Sequence, residues 1–160
     1  MKRIKMATVL IALVLFGVCA GGLQTRTSSP ATVAKSTSEA EIAALFDRWN
    51  QSLQTGDPRK VVANYAERSI LLPTVSNKPR LTQMEREDYF QHFLTKRPSG
   101  KIDLRQIDIS GDMAVDSGLY TFTFAKTGEV VSGRYTFVYK WDGAQWLIIS
   151  HHSSVMPENQ

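Results

Sequence analysis

The chain has 160 residues, 42% of them apolar and 21% charged, with a formal net charge of +4. That is the size and composition of one globular domain, and it excludes wholesale disorder, collagen and coiled coil. It also excludes a complete multi-lobed enzyme such as a protein kinase.

Lys2, Arg3 and Lys5 precede an apolar run of 15 residues, Met6 to Ala20, and Gly21-Gly22 follow it. A membrane span needs about 20 residues. A basic start, a short apolar middle and a small-residue exit instead predict a secretory signal peptide over residues 1–20, cleaved after Ala20. Two other readings of the segment are an uncleaved anchor and a lipidated Cys19, the latter disfavoured by the bulky Val18. Cleavage leaves 16 Lys and Arg against 15 Asp and Glu, a balance of +1. So weak a basic balance gives no ground for nucleic-acid binding. The one cysteine leaves with the signal, so the mature chain has neither a disulfide nor a thiol nucleophile. The expected address is exported, periplasmic or secreted, with no membrane association after cleavage.

Residues 21–37 are rich in Ser, Thr and Gly and read as a flexible tether. Ser38 with Glu41 forms a capping box that opens a first helix. Ile42, Leu45, Phe46, Trp49 and Leu53 make its apolar stripe. Asp57-Pro58 starts a second helix, which buries Val61, Val62 and Tyr65. Ser69 to Leu72 is a short strand. Thr82 with Glu85 caps a third helix running to about Thr95, expected to bury Met84, Phe90, Phe93 and Leu94. Strand periodicity begins at Lys101, and a phase slip predicts a bulge near Arg105-Gln106. Ala114–Phe124, Val130–Trp141 and Trp146–Val155 are longer strands joined at Thr127-Gly128 and Asp142-Gly143. Gly118, inside a strand, indicates bending or close backbone approach. Helices followed by antiparallel strands predict an α+β fold, a curved sheet closing as a cone over three helices, with the domain spanning 38–158.

The run from Trp146 to Pro157 (WLIISHHSSVMP), with the Asp142-Gly143 turn before it, resembles the last strand of the nuclear transport factor 2-like superfamily. Within it the chain is most similar to the calcium/calmodulin-dependent kinase II association-domain family, including its stand-alone bacterial members. Tyr65-Ala66-Glu67, Leu71-Leu72-Pro73-Thr74, Asn77-Lys78-Pro79-Arg80, Val115-Asp116-Ser117-Gly118 and Arg134 to Tyr139 carry the same likeness. The resemblance implies a helix-lined cone with a pocket at its mouth, and self-association into homodimers or larger rings through the sheet. It departs from the kinase pattern at two places. Ser150 stands where the first of two histidines would be, leaving His152, and Tyr120 stands where an arginine is usual. The implied anion pocket therefore rests on Arg134 or Arg80. The chain has no Gly-rich phosphate loop, His-Arg-Asp or Asp-Phe-Gly, so no kinase activity of its own is expected.

His151 and His152 are adjacent on a strand and point to opposite faces. They cannot share a metal ion, and His92 lies on a helix, so neither a metal nor another cofactor is expected. The resemblance favours His152 as the inward imidazole, while parity alone leaves the faces of His151, His152 and Arg134 open. The expected ligand-binding residues are Arg134, His152, Tyr120, Tyr65, Trp49 and Arg80. Asp116 and Tyr120, four apart on one strand, share a face; with His152 they are the candidates for proton transfer. Two functions lead, ahead of a secreted partner-binding or inhibitory protein using the outer sheet face. The first is an exported, oligomerising module that binds a small anionic or aromatic molecule. The alternative is a cofactor-free enzyme of the isomerase, dehydratase or polyketide-cyclase type.

Overall fold

Each of the three α-helices described starts at a side chain that accepts from one of its first free N–H groups. A computed structural model describes residues 36–74 and 76–158; the expected signal peptide and all but the last two residues of the tether lie outside them. Ser38 Oγ accepts from the Glu41 N–H at 3.2 Å and opens α1, Glu39–Leu53. Asp57 accepts from the Arg59 N–H at 2.9 Å and opens α2, Pro58–Val62. Thr82 and Glu85 form a full capping box at the start of α3, Gln83–Phe93. Hydrogen bonds from the Leu81 N–H, the Lys78 ammonium and the Thr82 N–H hold the Glu85 carboxyl down at about 2.

The inner side of α3 differs from expectation. Met84 is 77% exposed, whereas Arg86 is buried with Phe90. Positions 86, 90 and 94 follow one another at four-residue steps on the inner face, and Met84 lies off that line. The Arg86 guanidinium donates to the carbonyls of Ser69, Leu81, Glu67 and Ala66 at 3.0, 3.1, 3.2 and 3.4 Å. It thereby fastens α3 to the first strand without an acidic partner among those contacts.

Five strands form one sheet: β1 Tyr65–Leu72, β2 Pro98–Ser110, β3 Met113–Phe124, β4 Glu129–Trp141 and β5 Trp146–Val155, in the order β1-β5-β4-β3-β2. β1 lies parallel to β5, and all other pairs are antiparallel. The expected turns at Gly128 and Gly143 are present, both with positive φ. Inward-facing Tyr120, Phe122, Tyr135, Phe137, Tyr139, Trp146 and Ile148 pack with the α1 stripe in one core.

The antiparallel ladders carry two bulges. The first falls at Asp103 rather than near Arg105-Gln106: Ile102 pairs Tyr120 and Leu104 pairs Leu119, leaving Asp103 as the extra residue. Its carboxylate accepts from Thr121 Oγ1 at 2.6 Å, which anchors the bulge across β3. The slip turns Leu104 outward, 61% exposed, while Ile107 and Ile109 pack against the core. The second bulge lies in β5. Val138 pairs Ser150 and Tyr139 pairs Ile148, so Ile149 is unmatched.

Gly118 sits where β2 approaches most closely. A Cβ there would lie 2.0 Å from the Leu104 carbonyl oxygen, a backbone atom beside the bulge. Gly118→Ala is therefore expected to destabilise the domain by about 1–3 kcal/mol, the usual range for overpacking, as read by urea unfolding. A substitution as well tolerated as Ser117→Ala would show that the bulge does not need the close approach.

Candidate functional site

The bulge at Ile149 decides what β5 presents to the interior. Trp146 and Ile148 face inward, and strict alternation from them would bring Ser150, His152 and Ser154 in as well. The extra residue reverses the phase, so His151 and Ser153 are buried and His152 is exposed. The expectation that His152 faces the pocket is therefore corrected. His152 lies opposite Thr136 on the outer face of the sheet. Arg134 is on that face too. It alternates with the buried Gly133 and Tyr135, and its Nε donates to Ser154 Oγ at 3.2 Å.

Inside the sheet is a cavity of about 270 Å³. α1 contributes Trp49, and α3 contributes Tyr89, Phe90 and Phe93. β3 contributes Tyr120, Phe122 and Phe124, β5 contributes His151 and Ser153, and Thr74 follows β1. Lys96 and Glu129 also border it, and both are exposed. Of the expected ligand-binding residues, the cavity brings together Trp49 and Tyr120. Arg80 is not in the lining. Its guanidinium donates to the Lys78 carbonyl at 2.7 Å and to Ser76 Oγ at 3.3 Å, and lies 5.7 Å from the ring centre of Tyr89.

Tyr65 acts from behind the lining. Trp49 Nε1–H donates to Tyr65 Oη at 3.2 Å, and Tyr65 Oη lies 2.8 Å from His151 Nδ1. With Nδ1 as acceptor the phenol proton has a partner, and Nε2 carries the imidazole proton. The other tautomer would strand both the phenol proton and the Nε2 lone pair, since Nε2 has no partner among the described residues. Phe137 stacks on the ring at 4.1 Å between centroids. Burial, helped by the neighbouring His152, pulls His151 down to about 3, so the imidazole is neutral near pH 7.

Three hydroxyls continue the polar patch. Ser153 Oγ makes short contacts with both Tyr120 Oη and Thr74 Oγ1. Burial raises the Tyr120 phenol and takes Tyr89 up to about 12. The buried part of the lining is thus uncharged at neutral pH.

Asp116 does not meet Tyr120, although both face inward. Four strand residues separate their Cα atoms by about 13 Å. The Asp116 carboxylate is fully buried, and its Oδ1 accepts from Tyr135 Oη at 2.8 Å and Arg105 Nε at 3.2 Å. Desolvation raises its pKa, with Tyr135 and Arg105 opposing. It does not line the cavity, so the structure does not assemble the acid–phenol pair. Among the described residues, no cluster of three or more His, Cys, Asp or Glu is placed to hold a metal ion.

The adjacent imidazoles marked this strand in the sequence, but His151, Ser153 and Thr74 carried no individual signal there. Leu147-Ile148-Ile149 is apolar throughout, so the position of the bulge could not be read from alternation.

A model of the calcium/calmodulin dependent protein kinase II association domain family matches residues 38–157. A solved structure from Xanthomonas campestris, described as an association domain of this kind, is 50% identical and has a TM-score of 0.73; the match covers 78% of this chain and 93% of that one. A nuclear transport factor 2-like protein from Pseudomonas putida is 20% identical, covering 72% and 84%, with a TM-score of 0.64. A protein described as a dehydratase of the nuclear transport factor 2-like family, from Streptomyces avermitilis, is 10% identical, covering 74% and 96%, with a TM-score of 0.67. The last two share the fold. No curated protein matches the chain.

A pH dependence follows from His151. Its folded pKa of about 3 lies below the ordinary 6.5, so the unfolded chain binds the extra proton between these values. The imidazole's contribution is complete above the unfolded pKa and is lost as pH falls towards the folded one, by at most about 1.4 kcal/mol per pH unit. Chemical unfolding between about pH 6 and pH 4 should show this slope in the wild type and its loss in His151→Gln. Equal slopes in the two proteins would contradict the buried neutral imidazole.

Proposed function

The chain belongs to the calcium/calmodulin dependent protein kinase II association domain family, and from that premise we propose that it is an exported, self-associating module that holds a small molecule in its cavity. The observation that carries this reading is the cavity itself. An aromatic shell around a few convergent polar groups is the usual build of a small-molecule site, and here His151 and Ser153 are brought to it by the bulge in β5.

Self-association has its support on the opposite face. Leu104 pairs Leu119, and Val115 pairs Val138 two rows further along the same outer surface. Leu104 is among the most exposed large apolar residues. Such a face is suited to contact with a second copy. Export is supported by the basic-then-apolar segment over residues 1–20. The charged-pocket version of the ligand reading is not retained, because Arg134 and His152 lie outside and Arg80 is turned to its own loop.

The proton-transfer alternative has less support. Asp116 is engaged by Arg105 and Tyr135 away from the cavity, and His151 Nδ1 is occupied by Tyr65. A base held at about 3 is also far below the pKa that suits proton abstraction near pH 7.

Native mass spectrometry of the protein collected from the exported fraction of its own host tests each part of the proposal. The expected species begins after Ala20, is a dimer or larger ring, and carries a small-molecule mass that denaturation removes. Leu104→Glu should give monomers that keep the extra mass. A bare monomer from the wild type would contradict both the assembly and the binding reading.

A further inference from the structure

Taking the cavity as a small-molecule site, we propose that its ligand is uncharged, flat and mostly apolar, with about ten non-hydrogen atoms and one carbonyl-type oxygen that accepts from the polar patch of His151, Ser153 and Tyr120. The size follows from a cavity of about 270 Å³ at roughly 30 Å³ for each water-sized group. The flat apolar body follows from the walls, where Trp49, Phe90, Phe93, Phe122 and Phe124 offer ring faces and edges.

The preference for an acceptor follows from counting protons. His151 is a buried ring that borders the cavity; its Nδ1 is taken by Tyr65 and its Nε2 has no partner among the described residues. Thr74, Ser153 and Tyr120 hold three hydroxyl protons, and two contacts join them. Whichever way those contacts run, two protons are used inside the chain and one remains, at an end or on Ser153 itself. The patch thus presents donors beyond those its own groups can satisfy. A carbonyl oxygen meets that surplus, whereas a pure hydrocarbon leaves it unmet.

The preference for neutrality follows from the placement of cations. Arg134 is on the outer face, Arg86 is engaged by backbone carbonyls, and Arg105 is joined to Asp116. At the rim, Lys96 lies 5.3 Å from the ring centre of Phe124, and Glu129 brings the opposite charge. A carboxylate on the ligand would be desolvated without a counter-ion beside the patch, which is costly.

Three probes of nearly equal size separate these claims: acetophenone, ethylbenzene and benzoate, titrated at neutral pH into the full exported protein and followed by backbone NMR. Acetophenone is expected to bind about tenfold tighter than ethylbenzene, the gain from one hydrogen bond to an unmet buried donor, and at least about tenfold tighter than benzoate. Shifts should centre on Tyr120, Val131 and Ser153. Ser153→Ala and His151→Phe should each narrow the acetophenone preference over ethylbenzene while leaving ethylbenzene itself bound. Because the ranking is measured on the wild type, the test stands even if one variant does not fold. Benzoate binding as tightly as acetophenone, or ethylbenzene doing so, would overturn the proposed chemistry and leave the small-molecule site intact. No shift at the cavity with any of the three would overturn the site as well.

Discussion

One unmatched residue in β5, Ile149, sets the chemistry of the interior. It reverses the side-chain phase between Ile148 and His151, so that an imidazole and a hydroxyl enter where strict alternation would bring Ser150 and His152. A one-residue change of phase moves every later side chain to the other face. The inward imidazole then ties three elements together. Trp49 of α1 donates to Tyr65 of β1, and Tyr65 meets His151 of β5. This chain fixes the tautomer, and the tautomer fixes what the cavity can offer.

The buried charges are handled away from that cavity. Arg86 donates to carbonyls at the α3–β1 junction, and Asp116 accepts from Arg105 and Tyr135 on the side of the sheet nearest β2. Both arrangements give a buried charge several hydrogen bonds, although Arg86 Nε, Arg105 Nη2 and Asp116 Oδ2 have no partner among the described residues. What borders the cavity from within is neutral: phenols pushed up by burial and an imidazole pulled down by it. A lining of this character offers shape and hydrogen bonding rather than ion pairing, which is why the outward turn of Arg134 and His152 matters more than any single distance.

Most of the architecture was legible in the sequence because it rests on local rules. The caps at Ser38, Asp57 and Thr82, the apolar stripe from Ile42 to Leu53, and the turns at Gly128 and Gly143 each follow from nearby residues. Gly118 was legible as a point of close approach, though not the atom it meets. Three features resisted reading, each because a longer-range contact decides it. The apolar run Leu147-Ile148-Ile149 conceals the phase change. Arg86 looks like a solvated helix charge until the carbonyls of β1 are beside it. The parallel pairing of β1 with β5 has no sequence marker within β1. The resemblance to the family identified the right strand for the imidazole but the wrong residue on it.

The ring nitrogens of His151 provide the most direct test. Nitrogen NMR of the histidine side chains, with His152→Gln for assignment, would read both tautomer and charge. The account requires His151 to hold its proton on Nε2 and to remain neutral down to about pH 4, given its folded pKa of about 3. An imidazolium forming at His151 near its ordinary value of 6.5, or a proton resident on Nδ1, would contradict it.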